Sequence, residues 1–153
     1  MSANVSESVD VAASAEDVFA ALTDWSGQGD WMFATSVRPT RGYGRQDGDE
    51  ITARTGIGPL GFTDTMTITE WDPPRVCRVR HTGRLVRGTA VFAVVADGLD
   101  RSRVEWTEEL DIPFGRLGAI GFLIGRPVFT FFVRLSLRRF AAHVVADPVP
   151  GQR

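Results

Sequence analysis

Two histidines, one cysteine and a scatter of carboxylates are among the side chains of this 153-residue chain that could move a proton or attack a carbon. All 17 cationic residues are arginine. Schiff-base, P-loop and biotin-type chemistry, each of which needs a primary amine, is therefore excluded. The single Cys77 cannot close an internal disulfide, and His81 and His143 show no facial-triad spacing, so neither a metal nor a cofactor is expected. Three polar residues stand out on stretches of period two. Phe62, Met66 and Ile68 set an apolar parity that carries Asp64 to the same face; Cys77 and Val79 carry His81; Val104, Trp106 and Leu110 carry Glu108. If Asp72 to Arg75 closes a hairpin, His81 stands opposite Met66 and diagonal to Asp64. That is within reach for a carboxylate–imidazole pair, able to orient a ligand hydroxyl or act as acid and base. The same placement also fits two partly solvated residues at a sheet end. Glu108, inward and alone on its strand, is either paired with an arginine, solvated at a bulge, or turned to a ligand. Arg139 and His143 lie one turn apart where cations stabilise a helix C-terminus, a structural role.

The elements that must position these groups follow from patterning. Val5, Val9 and Val11 mark a short opening strand, and Ser14 caps a helix with Glu16 and Asp17 in its first turn. Trp25 and Trp31 flank a glycine-containing turn between two short helices. From Thr35 to Ile112 the period is two, with strands expected over 35–41, 49–55, 62–71, 76–81, 85–96 and 103–111 and turn chemistry between them. A long helix is expected from about Phe114 to Val145, and it is the only element long enough to cover an antiparallel sheet. At 153 residues this is one domain, with a core of about 5–146 and a flexible tail over 147–153. A net charge of −2 offers no basic field for nucleic acid. The polar, acidic opening lacks a signal peptide's charged and apolar regions, so the protein is expected to be cytoplasmic. The apolar run from Leu117 to Leu137 is interrupted by Arg126, Pro127 and Arg134, which disfavours a transmembrane span.

On a helical wheel Arg116, Arg126, Arg134 and Arg138 fall within about one third of the circumference, while the apolar residues fill an arc of about 200°. A surface helix needs only about 100° of apolar arc. The excess predicts cover on more than one side, either from the short helices and loops or around an apolar cavity.

The order strand, two helices, six strands, long helix, together with the Val9–Phe19 opening ahead of Leu22-Thr23-Asp24, the Trp71-Asp72-Pro73-Pro74 turn and Asp111-Ile112-Pro113-Phe114-Gly115-Arg116, resembles the START-related SRPBCC superfamily, in its polyketide cyclase/dehydrase and lipid-transport branch. The resemblance spans Val5 to about Val145. It implies an α+β helix-grip fold, a curved antiparallel sheet of about seven strands wrapped around the C-terminal helix, with a cavity for a hydrophobic small molecule. It does not settle chemistry, because the superfamily spans carriers, cyclases, receptors and oxygenase domains.

With that fold, the expected ligand-binding residues are Phe62, Met66, His81, Phe92, Trp106, Glu108, Leu117 and Ile124, with Asp64 and His81 as catalytic candidates and Ile57 and Leu60 on a gating loop. The polar set is sparse. A carrier or sensor of a lipid, isoprenoid or polyketide-like compound is therefore favoured over a polyketide aromatase/cyclase, in which the inward polar residues would transfer protons on an enol. A third reading is a module whose exposed apolar helix N-terminus makes a transient membrane contact, docks a protein or forms a homodimer.

Overall fold

The computed structural model describes residues 2–147. The chain runs β1 (Ser2–Val11), α1 (Ala15–Leu22), a short 3-10 turn, α2 (Gln28–Trp31), β2 (Thr35–Arg41), β3 (Glu50–Ile57), β4 (Leu60–Asp72), β5 (Val76–His81), β6 (Gly88–Ala96), β7 (Ser102–Asp111) and α3 (Gly115–Ala146). The strands form one antiparallel sheet in the order β1-β7-β6-β5-β4-β3-β2, so only the β1–β7 pairing is non-sequential. The helix-grip fold expected above is present. Beyond Asp147, the expected flexible tail lies outside the described residues.

Three boundaries differ from expectation for identifiable reasons. β1 is ten residues long because its polar first half pairs with β7 from Ser2 opposite Asp111 to Val11 opposite Ser102. β6 starts at Gly88 instead of Leu85: this glycine has φ +127°, and a Cβ there would lie 2.0 Å from the Glu109 carbonyl oxygen. The glycine-rich stretch 56–61, expected as a loop, is largely ladder, with Gly56 opposite Gly61 and Ile57 opposite Leu60 around a two-residue turn.

The concave face of the sheet carries Val5, Val11, Ile51, Met66, Ile68, Cys77, Val79, Val94 and Val104, closed by Val18, Phe19 and Leu22 of α1 and by Val133, Leu137, Phe140 and Val144 of α3. Ser14 caps α1 as expected, its Oγ accepting the Asp17 N–H at 3.2 Å. The arginines at 116, 126, 134 and 138 are exposed, and Arg134 Nε donates to Glu7 of β1 at 2.8 Å, tying helix to sheet.

Trp25 is fixed by a close backbone approach. Its indole N–H donates to the Gly44 carbonyl at 2.7 Å, and Gly44 sits at φ +72° with no room beside it, since a Cβ would come within 2.4 Å of the indole nitrogen. Gly44→Ala is therefore expected to lower stability by at least about 1 kcal/mol, read as a reduced urea midpoint.

Candidate functional site

Between the sheet and the last helix lies a cavity of about 520 Å³. Its sheet wall includes Phe62, Met66, Val79, Ala90, Phe92 and Trp106, all from the inward parity of β4 to β7. Its helix wall is Phe129, Phe132, Val133 and Ser136. It reaches the tip of the β3–β4 hairpin, where Ile57 and Leu60 line it while remaining 72% and 82% exposed, so it opens to solvent there.

The three inward polar residues meet at this wall. Asp64 Oδ2 lies 2.5 Å from His81 Nδ1, and Glu108 Oε2 lies 3.2 Å from His81 Nε2. The second oxygen of Glu108 accepts the Trp106 indole N–H at 2.8 Å. All three of Asp64, His81 and Glu108 have side chains less than one tenth exposed. Burial alone would depress the imidazole, but the hydrogen bonds to Asp64 and Glu108, and the charges of both, outweigh it and raise His81 to about 9. At neutral pH it is an imidazolium with both N–H groups donating. Among the described residues Asp64 Oδ1 has no hydrogen-bond partner; it is packed against Gly83, where a Cβ would come within 2.5 Å of it.

Each contact has a local cause in the sequence. Next to the Asp72–Arg75 turn the β4–β5 ladder is one residue out of the expected register, with Asp72 opposite Val76; a bulge between Ile68 and Glu70 corrects it, so that Met66 does face His81. The bulge also turns Trp71 inward, where its ring packs edge-on against Phe19 at 5.2 Å. His81 reaches Glu108 across the intervening β6 because the β6 residues on that line are Gly88, opposite His81, and Ala90, opposite Glu108. Two longer side chains there would separate imidazole from carboxylate. The small pair on β6 was the sequence signal for this contact, which parity alone does not reveal.

Two expected lining residues are misplaced. Leu117 and Ile124 are 79% and 73% exposed and lie outside the cavity. The helix contacts the cavity about two turns later than expected, through Phe129, Phe132 and Ser136. Phe132 stacks on Phe33 at 4.5 Å between ring centroids, and Ser136 Oγ accepts the Phe33 N–H at 3.1 Å. These residues set the helix register and were missed, as was Phe33, which lies in the bend after α2 outside any periodic segment.

Burial pushes the Cys77 thiol up to about 12, which removes it as a nucleophile. Arg139 lies over the Phe33 ring at 5.7 Å and His143 lies in the last turn of α3, so both have packing and helix-end roles. Among the described residues no group of histidine, cysteine and carboxylate side chains is arranged to hold a metal ion.

A curved antiparallel sheet gripping a C-terminal helix, with a ligand-sized cavity between them, defines the START-related SRPBCC class. Residues 2–145 match the family described as polyketide cyclase / dehydrase and lipid transport, and the chain belongs to that family. No curated protein sequence matches at a significant level. Among solved structures, it is similar to the Zhui aromatase/cyclase from Streptomyces sp. R1128, with a TM-score of 0.78 at 17% identity, covering 99% of this chain and 100% of that one. It is also similar to norcoclaurine synthase from Thalictrum flavum in complex with dopamine and hydroxybenzaldehyde, with a TM-score of 0.70 at 15% identity over 99% of this chain and 90% of that one. The di-domain aromatase/cyclase BexL gives 0.72 at 15% identity, covering 95% of this chain and 48% of that protein. At these identities the likeness concerns the fold.

Proposed function

We propose that the protein holds a hydrophobic, carbonyl-bearing molecule in the cavity and catalyses proton transfer on it, in a cyclisation or dehydration of the polyketide type. The observation that carries this reading is the buried Asp64–His81–Glu108 array on the cavity wall. A cavity that only carried an apolar ligand would have no use for two carboxylates and an imidazolium kept from water, a costly arrangement unless each group is paired. The favoured reading from sequence was a carrier, because an acid–base pair was not assured; here a donor and an acceptor stand 3.2 Å apart.

The roles follow from the geometry. Asp64 fixes the ring by accepting the Nδ1–H, a positioning role. A ligand carbonyl oxygen that approaches the Nε2–H takes its proton, while Glu108 removes a proton from the carbon adjacent to a second carbonyl of the same molecule. The carbon–carbon bond forms between that carbon and the protonated carbonyl. The proton then on Glu108 returns to the adjacent Nε2, restoring the resting array with no net proton gained or lost. The surrounding apolar wall excludes water and strengthens these interactions.

The test uses a synthetic alkyl diketone whose aldol closure and dehydration give a conjugated enone, followed by ultraviolet absorbance. Wild-type protein is expected to accelerate closure, and His81→Asn and Glu108→Gln to lower the rate by about a hundredfold or more. Retained diketone binding in both variants, measured by quenching of tryptophan fluorescence, separates lost chemistry from lost fold. If wild type binds the diketone and the variants change nothing in the rate, the protein is a carrier.

A further inference from the structure

The first half of α3 carries an apolar surface that the domain does not use. Leu117, Ile120, Ile124, Val128 and Phe131 recur at helical spacing within about 80° of one face, and all are exposed. The buried residues of the same helix, Val133, Leu137, Phe140 and Val144, point to the opposite side. The helix is long and apolar enough by length and composition to cross a membrane, its apolar window having mean hydropathy 1.5 and being 17% buried. It does not do so as a span, because its second half is part of the domain core.

The charge around this face selects a partner. Residues 112–146 hold five of the seventeen arginines and none of the nineteen carboxylates, in a chain whose overall charge is −2. Arg116 and Arg138, on the side of the helix that carries the stripe, are exposed and make no ion pair among the described residues. A second copy of the chain would bring the same cations against these with no acid on either face to pair them, so self-association through the stripe is opposed. An anionic lipid surface supplies both what the apolar stripe and what the arginines lack.

Ile57 and Leu60 are exposed at the hairpin tip and line the cavity together with Phe129 and Phe132, which continue the helix directly from Val128 and Phe131.

We infer that the first half of α3 lies in the interface of an anionic bilayer, through Leu117, Ile120, Ile124, Val128 and Phe131 with Arg116 and Arg138 at the headgroups, so that the protein exchanges its hydrophobic ligand with the membrane. The docking does not depend on the proton-transfer reading and would hold equally for a carrier.

Sedimentation of the full chain with vesicles tests it, comparing equal mixtures of phosphatidylglycerol and phosphatidylcholine with phosphatidylcholine alone. Binding to the anionic vesicles is expected to be at least tenfold stronger and to fall with added salt. Ile124→Glu and Leu117→Glu are each expected to abolish it, with unchanged thermal unfolding as the control for folding. Arg116→Gln with Arg138→Gln is expected to remove the preference for anionic lipid. The inference is overturned by no binding to either vesicle, by binding that the glutamate substitutions leave intact, or by a concentration-dependent dimer in ultracentrifugation that Ile124→Glu dissociates.

Discussion

Raising the pH from 6.5 to about 9 is expected to weaken the folded protein by on the order of 3 kcal/mol, through His81 alone. The sign follows from proton uptake. In the unfolded chain the imidazole has its ordinary value of 6.5, whereas in the folded chain Asp64 and Glu108 more than offset burial and hold it at about 9. Below 6.5 both states carry the proton and the stabilisation is fully present. Between the two values only the folded state carries it, so stability declines steadily as pH rises. Above about 9 the contribution is gone. Urea unfolding at intervals across this window measures the slope directly, and His81→Gln is expected to flatten it. Cys77 adds little over most of this window, because its thiol rises from the ordinary 9.0 to about 12, so the unfolded chain alone begins to lose that proton only as pH nears 9. A flat wild-type profile, or an equal slope in His81→Gln, would show that the imidazole is not held as an ion by the two carboxylates.

The same pH window bears on the proposed reaction. The imidazolium is the form that donates from Nε2, so the acid limb of catalysis is expected to persist up to about 9 instead of fading near 6.5. The ligand changes the coupling, since a carbonyl that shares the Nε2–H weakens the bond to Glu108. Of the two hydrogen bonds to the ring, the one to Glu108, at 3.2 Å, is longer than the 2.5 Å contact with Asp64, and is the one suited to exchange.

How far these positions were legible in the sequence depends on the kind of contact. Parity along single strands placed Asp64, His81 and Glu108 on one face because strand side chains alternate without ambiguity. The Asp64–His81 pair could be anticipated because the two strands are joined by a short turn. That anticipation assumed a regular ladder; the actual ladder is displaced beside the turn and restored by the bulge after Ile68, so the pairing is the same by a different route. The His81–Glu108 contact spans two strand boundaries, and a register error at either would have removed it. The helix was the weaker reading. A wheel projects all of α3 on one circle, so Leu117 and Ile124 near one end were merged with Phe129 and Phe132 near the middle. Their surroundings differ completely: the latter face Phe33 and the cavity wall, the former face outward. The apolar residues of α3 therefore form two separate faces, on opposite sides and at different heights.

That division makes a sharp contrast in stability between two large-to-small substitutions on one helix. Phe140→Ala is expected to cost about 3 to 5 kcal/mol, since the ring is fully buried and meets Trp31 edge-on at 4.9 Å. Trp31 is itself fully buried at the end of α2, which limits how far it can move into the space. The loss would be a large part of the roughly 5 to 15 kcal/mol that holds such a domain together. Ile124→Ala on the outer stripe is expected to change stability by no more than about 0.5 kcal/mol, as an apolar side chain already in water loses nothing on truncation. Urea unfolding of the two variants side by side reads the difference. Ligand binding is expected to follow the same order: the second half of α3 carries Phe132 and Ser136, which hold Phe33 at the cavity wall, so loosening it at Phe140 also loosens the wall. Equal costs for the two substitutions would mean that the outer face is packed in solution. In that case Ile124 would be covered by protein even without lipid, and a bilayer could no longer be its partner.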